Sequence, residues 1–138
     1  MGMRLSADEA PEVMVLRSLI AGVLALAFCG STLSAQADEL VMFQQDGCPY
    51  CAAWNRDIGK VYAKTDEAKL LPLRRVDIHV ARPADLQAIE GIRFTPTFVV
   101  LHCGREEARI VGYQSDEQFW ALLDEGVRKI KESSPCQR

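Results

Sequence analysis

The sequence has no basic stripe and no acidic tail. Sixteen lysines and arginines stand against 19 aspartates and glutamates, so charge is nearly balanced. A nucleic-acid surface needs clustered cations, and nucleic acid is not an expected partner. Histidine is scarce. His79 and His102 are the only two, and both lie far from the one Cys-x-x-Cys of the chain. A zinc or copper centre on that pair would want more ligands, so no metal and no other cofactor is expected. Repeats and low-complexity linkers are lacking, and so is a long hydrophobic run. The apolar stretch Ser18 to Gly30 is too short for a comfortable transmembrane helix of about 20 residues. A length of 138 residues fits one domain.

That short stretch is informative for its flanks. SLIAGVLALAFCG follows Arg17 and precedes Ala35-Gln36-Ala37. A positive flank, a short apolar segment and a small-x-small site compose a secretory signal peptide. Cleavage after Ala37 gives a leader of residues 1–37 and a mature domain of residues 38–138, expected in the periplasm. An uncleaved anchor is the alternative. Asp8, Glu9 and Glu12 suit a positive leading region poorly, whereas a start at Met14 puts MVLR directly before the apolar run. Met14 is therefore the expected start. Cys29 follows Phe28, where a lipoprotein signal wants a small residue, so lipidation is the weaker reading. Removing the leader removes Cys29 and leaves Cys48, Cys51, Cys103 and Cys136. An even number in an exported protein is compatible with full pairing.

Hydrophobic periodicity orders the mature chain. Glu39 to Gln45 (ELVMFQQ) reads as a buried strand ending at a turn. Pro49 suits the first turn of a helix, where its missing N–H costs nothing. Ala52, Ala53, Trp54 and Ile58 continue that helix to about Ala63. Leu73 to Ile78 (LRRVDI) is a second strand. Pro83 opens a short helix, ADLQAIE, which Gly91 stops. Thr97 to Leu101 (TFVVL) and Ala108 to Tyr113 form a hairpin about Gly104. Ser115 with Gln118 fits a capping box. Phe119, Leu122, Leu123, Val127 and Ile130 then recur at helical spacing, with Lys129 and Lys131 at the end of the helix that favours cations. The expected order is strand, helix, strand, helix, strand, strand, helix. Two strands joined through a helix should pair in parallel, and the last two antiparallel. The result is an α/β fold with a mixed central sheet flanked by helices.

DGCPYC, Asp46 to Cys51, carries the chemistry. Its spacing can hold a metal, a structural disulfide or a thiol-exchange centre. A staple across so small a loop stabilises little, and the metal reading lacks ligands. Position favours exchange. Cys48 opens a helix, where unpaired N–H groups and the dipole stabilise a thiolate, the attacking species. Cys51 lies one turn later on the same face. Cys48 would attack a partner's disulfide as nucleophile, and Cys51 would resolve the mixed disulfide. Pro49 and Tyr50 sit between the two, beside the reacting sulfur. Trp54 is expected to cover the motif or the core, and the two histidines are assigned no role. Further along, the last helix should run back toward the hairpin turn, which could bring Cys136 close to Cys103. A second, structural disulfide is expected there, with two independent thiols as the alternative.

The order of elements, CPYC at the start of the first long helix, and GIRFTPT at Gly91 to Thr97 together resemble the thioredoxin superfamily over about Glu39 to Glu132. The resemblance implies a thioredoxin-like fold. It also implies a cis peptide bond before Pro96, which puts that proline beside the cysteine pair, and a backbone at Thr95 that pairs with the partner's chain. The motif departs from the family in two ways. Pro-Tyr between the cysteines is the pair usual in glutaredoxins, and Tyr50, Thr95 and Gly112–Asp116 are partial echoes of a glutathione site. Thioredoxins also tend to carry a buried acid six positions before the first cysteine. Met42 stands there, so the associated proton shuttle is absent or supplied otherwise.

Within the superfamily, LVMFQQDGCPYCAAW, PLRRVDIH, RFTPTFVVL and GREEARIVGYQSDEQFWALL resemble the thioredoxin-like reductases of bacterial sulfur-oxidation systems. That likeness implies a partner-specific reductase acting on disulfide forms of a SoxY-like sulfur-carrier protein. Its electrons would come from a membrane thiol transporter of the SoxV or CcdA type. The alternatives are a disulfide oxidase or isomerase, a glutathione-linked oxidoreductase, and a non-catalytic metal-binding module. An oxidising compartment favours disulfide formation unless electrons cross the membrane. The small domain lacks the large helical insert of the dedicated periplasmic oxidant, which favours the reductive direction.

Overall fold

The computed structural model describes residues 37–136. The expected leader, the start at Met14 and Cys29 lie outside them. The chain divides into two units, Met1–Leu33 and Ser34–Arg138, and the described residues all fall in the second.

β1 spans Glu39–Gln44, and its apolar run from Leu40 to Phe43 is buried on both faces. Burial of both faces is what a central strand requires. After the turn at Gly47 (φ 71°) comes α1, Pro49–Trp54. It runs on as one π-helical turn, Asn55–Gly59, followed by a 3-10 turn, Tyr62–Lys64. The single helix expected to about Ala63 is therefore divided. Gly59 packs so closely that a Cβ there would lie 3.2 Å from Trp54 Cζ3. Glycine admits that approach and weakens the helix at the same point. α2, Asp66–Leu70, is an additional helix. Thr65 caps it, accepting from the Ala68 N–H at 3.2 Å and donating to the Tyr62 carbonyl at 2.9 Å.

β2 is Leu73–Asp77. The expected helix ADLQAIE is only a 3-10 turn, Ala84–Leu86. So few residues cannot offset the cost of helix nucleation, and the turn serves to bury Leu86 and Ile89. β3 is Thr97–His102, β4 is Arg105–Val111, and α3 is Asp116–Glu132. β4 begins earlier than expected and stops short of Tyr113. The Ser115 hydroxyl caps α3, accepting from the Gln118 N–H at 3.2 Å.

The sheet order is β2-β1-β3-β4. β1 pairs in parallel with β2 and antiparallel with β3, and β3 with β4 is antiparallel. Strand alternation separates two apolar layers. Leu40, Met42, Phe98, Val100 and Ile110 face one side, with Trp54, Ile58, Tyr62, Phe119, Leu123 and Ile130 of the helical segments. Val41, Phe43, Val76, Val99 and Leu101 face the other, with Leu86 and Ile89. In the first layer the rings of Trp54, Phe98 and Phe119 lie 5.0–5.5 Å apart, centroid to centroid. Such pairs add about 0.5–1.5 kcal/mol each beyond simple burial. They fix the end of α1 to sheet and to α3, and so fix the cysteine pair at its beginning.

The β3–β4 hairpin turns through Cys103 and Gly104, both left-handed at φ 52° and 73°. A two-residue type I′ turn requires that conformation at both positions. Cys103 is joined to Cys136, just beyond α3, with an S–S distance of 1.98 Å and Cα atoms 5.4 Å apart. The neighbouring His102 is buried. Its Nδ1 lies 2.7 Å from Asp38 Oδ1 and its Nε2 3.0 Å from the Ser134 carbonyl. The carbonyl and the carboxylate raise its pKa against the opposing effect of burial.

Candidate active site at the start of the first helix

Cys48 is the N-cap of α1, in extended backbone (φ −77°, ψ 110°), with Pro49 as the first helical residue. Pro49 supplies a preset φ and no N–H. The cap is therefore made by sulfur: Cys48 Sγ accepts from the Cys51 N–H at 3.1 Å. A charge-assisted bond of this kind strengthens when the acceptor is a thiolate. In the structure Cys48 and Cys51 are joined as a disulfide, with Cα atoms 5.2 Å apart. Both side chains are almost covered, at 7 % and 4 % exposure.

The second wall comes from the chain before β3. Thr95–Pro96 is a cis peptide bond, and the Thr95 carbonyl oxygen lies 3.4 Å from Cys48 Sγ. Two bonds fix this segment. The Pro96 carbonyl accepts from the Gly112 N–H at 2.7 Å, and the Thr97 hydroxyl donates to the Phe94 carbonyl at 2.7 Å. The carbonyl facing the sulfur is thus held by β3 and β4 rather than by a loose loop.

A groove of about 300 Å³ opens over Cys48, lined by Pro49, Tyr50, Ile78, Arg93, Phe94 and Thr95 among others. Tyr50 is 61 % exposed and Phe94 67 %. The two rings thus stand in solvent beside a covered sulfur. A second depression of about 370 Å³ adjoins it and reaches Cys51, Ala52 and Asn55. Cys48, Pro49, Tyr50, Thr95 and Pro96, named from the sequence, are therefore brought together with Cys51. Cys103 and Cys136 pair at the hairpin. Phe94, Arg93 and Ile78 were not singled out from the sequence. Phe94 stands two residues before Pro96, but an apolar residue beside an apolar strand gives no sign of facing outward.

Beneath the pair lies Met42, fully buried in the same layer as both cysteines. No carboxylate occupies that strand position. Arg75, opposite Met42 on β2, donates to Met42 Sδ at 3.2 Å and to Gln44 Oε1 at 2.8 Å. Its guanidinium also lies over the Trp54 ring, 5.4 Å from the centroid, and desolvation lowers its pKa. Trp54 is wholly buried, so it belongs to the core under the motif. His79 is exposed and meets Oε1 of Gln45, a residue that lines the groove, at 3.0 Å. Among the described residues, no third histidine, cysteine or carboxylate is grouped with Cys48 and Cys51 as a metal ligand. The arrangement suits two-sulfur exchange: one sulfur under a groove, its partner one turn behind, and a backbone edge alongside.

A family model described as a thioredoxin-like domain matches residues 33–126. The periplasmic thioredoxin SoxS from Paracoccus pantotrophus, solved in its reduced form, is 35% identical to this chain. The match has a TM-score of 0.63 and covers 67% of this chain and 97% of that one. No curated protein matches the chain.

Proposed function

The chain belongs to the thioredoxin-like family and is a thiol–disulfide oxidoreductase, and from that premise we propose that it is an exported, partner-specific dithiol reductase. Cys48 is its nucleophile and Cys51 its resolving cysteine. The observation that carries these roles is the placement of Cys48 Sγ between the Cys51 N–H and the Thr95 carbonyl, at the floor of the groove.

In the reduced protein the Cys48 thiolate attacks one sulfur of a partner's disulfide. The other partner sulfur leaves as a thiolate and is protonated. Cys51, deprotonated, then attacks Cys48 Sγ, and the second partner sulfur leaves. Two electrons have passed to the partner, and Cys48–Cys51 is the disulfide seen in the structure. The Thr95 backbone lies alongside the reacting sulfur and suits pairing with an extended partner segment. A dithiol donor restores the pair by the reverse sequence.

SoxS is a periplasmic thioredoxin, which supports export of this chain. Residues 1–37 are then its signal peptide and residues 38–138 its mature domain. By the same likeness the partner is the sulfur-carrier protein of a sulfur-oxidation system, of SoxY type. The donor is a membrane thiol transporter of SoxV or CcdA type.

Replacing Cys51 by Ser tests the reading. Expressed with its leader, Cys51→Ser should accumulate a mixed disulfide between Cys48 and one dominant partner, a sulfur-carrier protein with a reactive cysteine. Adducts spread over many unrelated exported proteins would instead indicate an oxidase or isomerase. Glutathione alone on Cys48 would indicate a glutathione-linked enzyme.

A further inference from the structure

The corner at the β3–β4 turn holds a second constellation that the exchange reaction does not use. Leu101 pairs with Glu39, at the start of β1, whereas the Cys48–Cys51 pair follows the end of that strand. The two cysteine pairs therefore sit toward opposite ends of the sheet. At this corner a ring nitrogen of His102 and the sulfurs of Cys103 and Cys136 all lie within 4.8 Å of one another.

The ring is oriented in the way a metal site requires. A ligating histidine characteristically donates its other ring N–H to a carboxylate, which fixes the tautomer. Asp38 holds Nδ1 at 2.7 Å, with both side chains largely covered at 7% and 17% exposure. Nε2 is thereby the nitrogen left for a ligand. It now meets the Ser134 carbonyl at 3.0 Å. Ser134 is two residues before Cys136, so the segment that covers the nitrogen also carries the second sulfur. Opening the disulfide removes the covalent tie on that segment, and an ion can then take the place of the Ser134 carbonyl at Nε2. Cys136 is exposed, which gives an ion a path in.

We propose that the dithiol form of this corner binds one Zn²⁺ through Cys103 Sγ, Cys136 Sγ and His102 Nε2, with Asp38 orienting the ring and water completing the shell. A tetrahedral zinc site sets sulfur and nitrogen ligands roughly 3.5–3.8 Å apart. On reduction the two sulfurs therefore separate from their bonded 1.98 Å, and the ring, which already has a nitrogen within 4.8 Å of both, turns Nε2 onto the ion. The chemistry balances in two steps. A dithiol donor passes two electrons and two protons to Cys103–Cys136 and becomes a disulfide itself. Zn²⁺ then displaces the two thiol protons and the Nε2 proton. The same sulfurs are thus a covalent tie when oxidised and a metal site when reduced. The assignment does not rest on the direction of exchange at Cys48–Cys51.

The test uses the full mature chain carrying Cys48→Ser and Cys51→Ser, reduced with a phosphine and titrated with Zn²⁺ against a chromophoric chelator. One ion per chain is expected. His102→Gln should weaken binding at least tenfold and Asp38→Asn about tenfold. Adding Cys103→Ser and Cys136→Ser should abolish it. Co²⁺ in place of Zn²⁺ should give a thiolate-to-metal charge-transfer band, and X-ray absorption of the Zn²⁺ form should show two sulfurs and at least one imidazole nitrogen. This last measurement needs no histidine variant, so it decides even if His102→Gln fails to fold. Absence of stoichiometric zinc, or a shell without imidazole, overturns the proposal.

Discussion

Phe94 turns its ring into solvent over the groove that ends at Cys48. Being exposed, it contributes little to folding, and a polar substitution there should change stability by no more than about 0.5 kcal/mol. Its worth lies in what it offers a partner. Phe94→Ser should lower kcat/KM for a protein disulfide about tenfold, equivalent to about 1.4 kcal/mol, and leave a small-molecule disulfide nearly unaffected. An equal loss on both substrates would remove the ring from partner recognition. Tyr62 makes the opposite case. It is buried, and its hydroxyl donates to the Leu71 carbonyl at 2.8 Å. Tyr62→Phe leaves that carbonyl unpaired and should cost about 1–3 kcal/mol at neutral pH. Burial also raises the Tyr62 pKa. A raised folded value means stability that is present below the unfolded value of about 10 and lost as pH rises above it. Denaturant melts from about pH 8 to about pH 11 should therefore show a shallower alkaline decline in Tyr62→Phe than in the parent.

The elements themselves depend on a few long-range ties. The Cys103–Cys136 bond spans 33 positions and joins the hairpin turn to the end of α3. In the chain-entropy model a loop of that size contributes roughly 3–4 kcal/mol. The double variant Cys103→Ser, Cys136→Ser should therefore melt at a markedly lower temperature yet retain exchange activity at Cys48–Cys51. Activity lost in step with the bond, in a protein still folded, would contradict a purely structural role for the oxidised form. The order of elements along the chain, the parallel β1–β2 pair, the β3–β4 hairpin and the α3 cap were legible in the sequence, from signals such as TFVVL for β3 and Ser115 with Gln118 for the cap. The antiparallel β1–β3 pair that completes the sheet was not. Nor was the division of the first helix. Gly59 and Thr65 carry the signal for it. Yet the deciding event is the fit of Gly59 under Trp54, a tertiary contact that periodicity cannot register. The start of β4 was missed for a related reason. Arg105, Glu106 and Glu107 form an edge-strand end without apolar alternation, and pairing with β3 makes them a strand. Cys48, Cys51 and Pro96 were legible from spacing and resemblance. The Cys103–Cys136 pair was legible from the expected return of the last helix, but Phe94, Arg93 and the contacts of His102 with Asp38 and Ser134 were not, because they arise from packing between distant segments.

On the scale of the whole molecule, the fold brings a two-residue redox pair to one end of a four-stranded sheet and a second sulfur pair toward the other. Chemistry at Cys48 is reversible, so the fold alone permits electrons to flow either way. The reductive direction rests on a reduction potential low enough for the dithiol to donate. Equilibrating the purified mature protein with defined dithiol–disulfide buffers, and scoring the state of Cys48–Cys51 by mass after alkylation, measures that potential directly. A reductase should lie near the thioredoxin value of about −270 mV, and a value near the about −120 mV of a strong oxidant would contradict it.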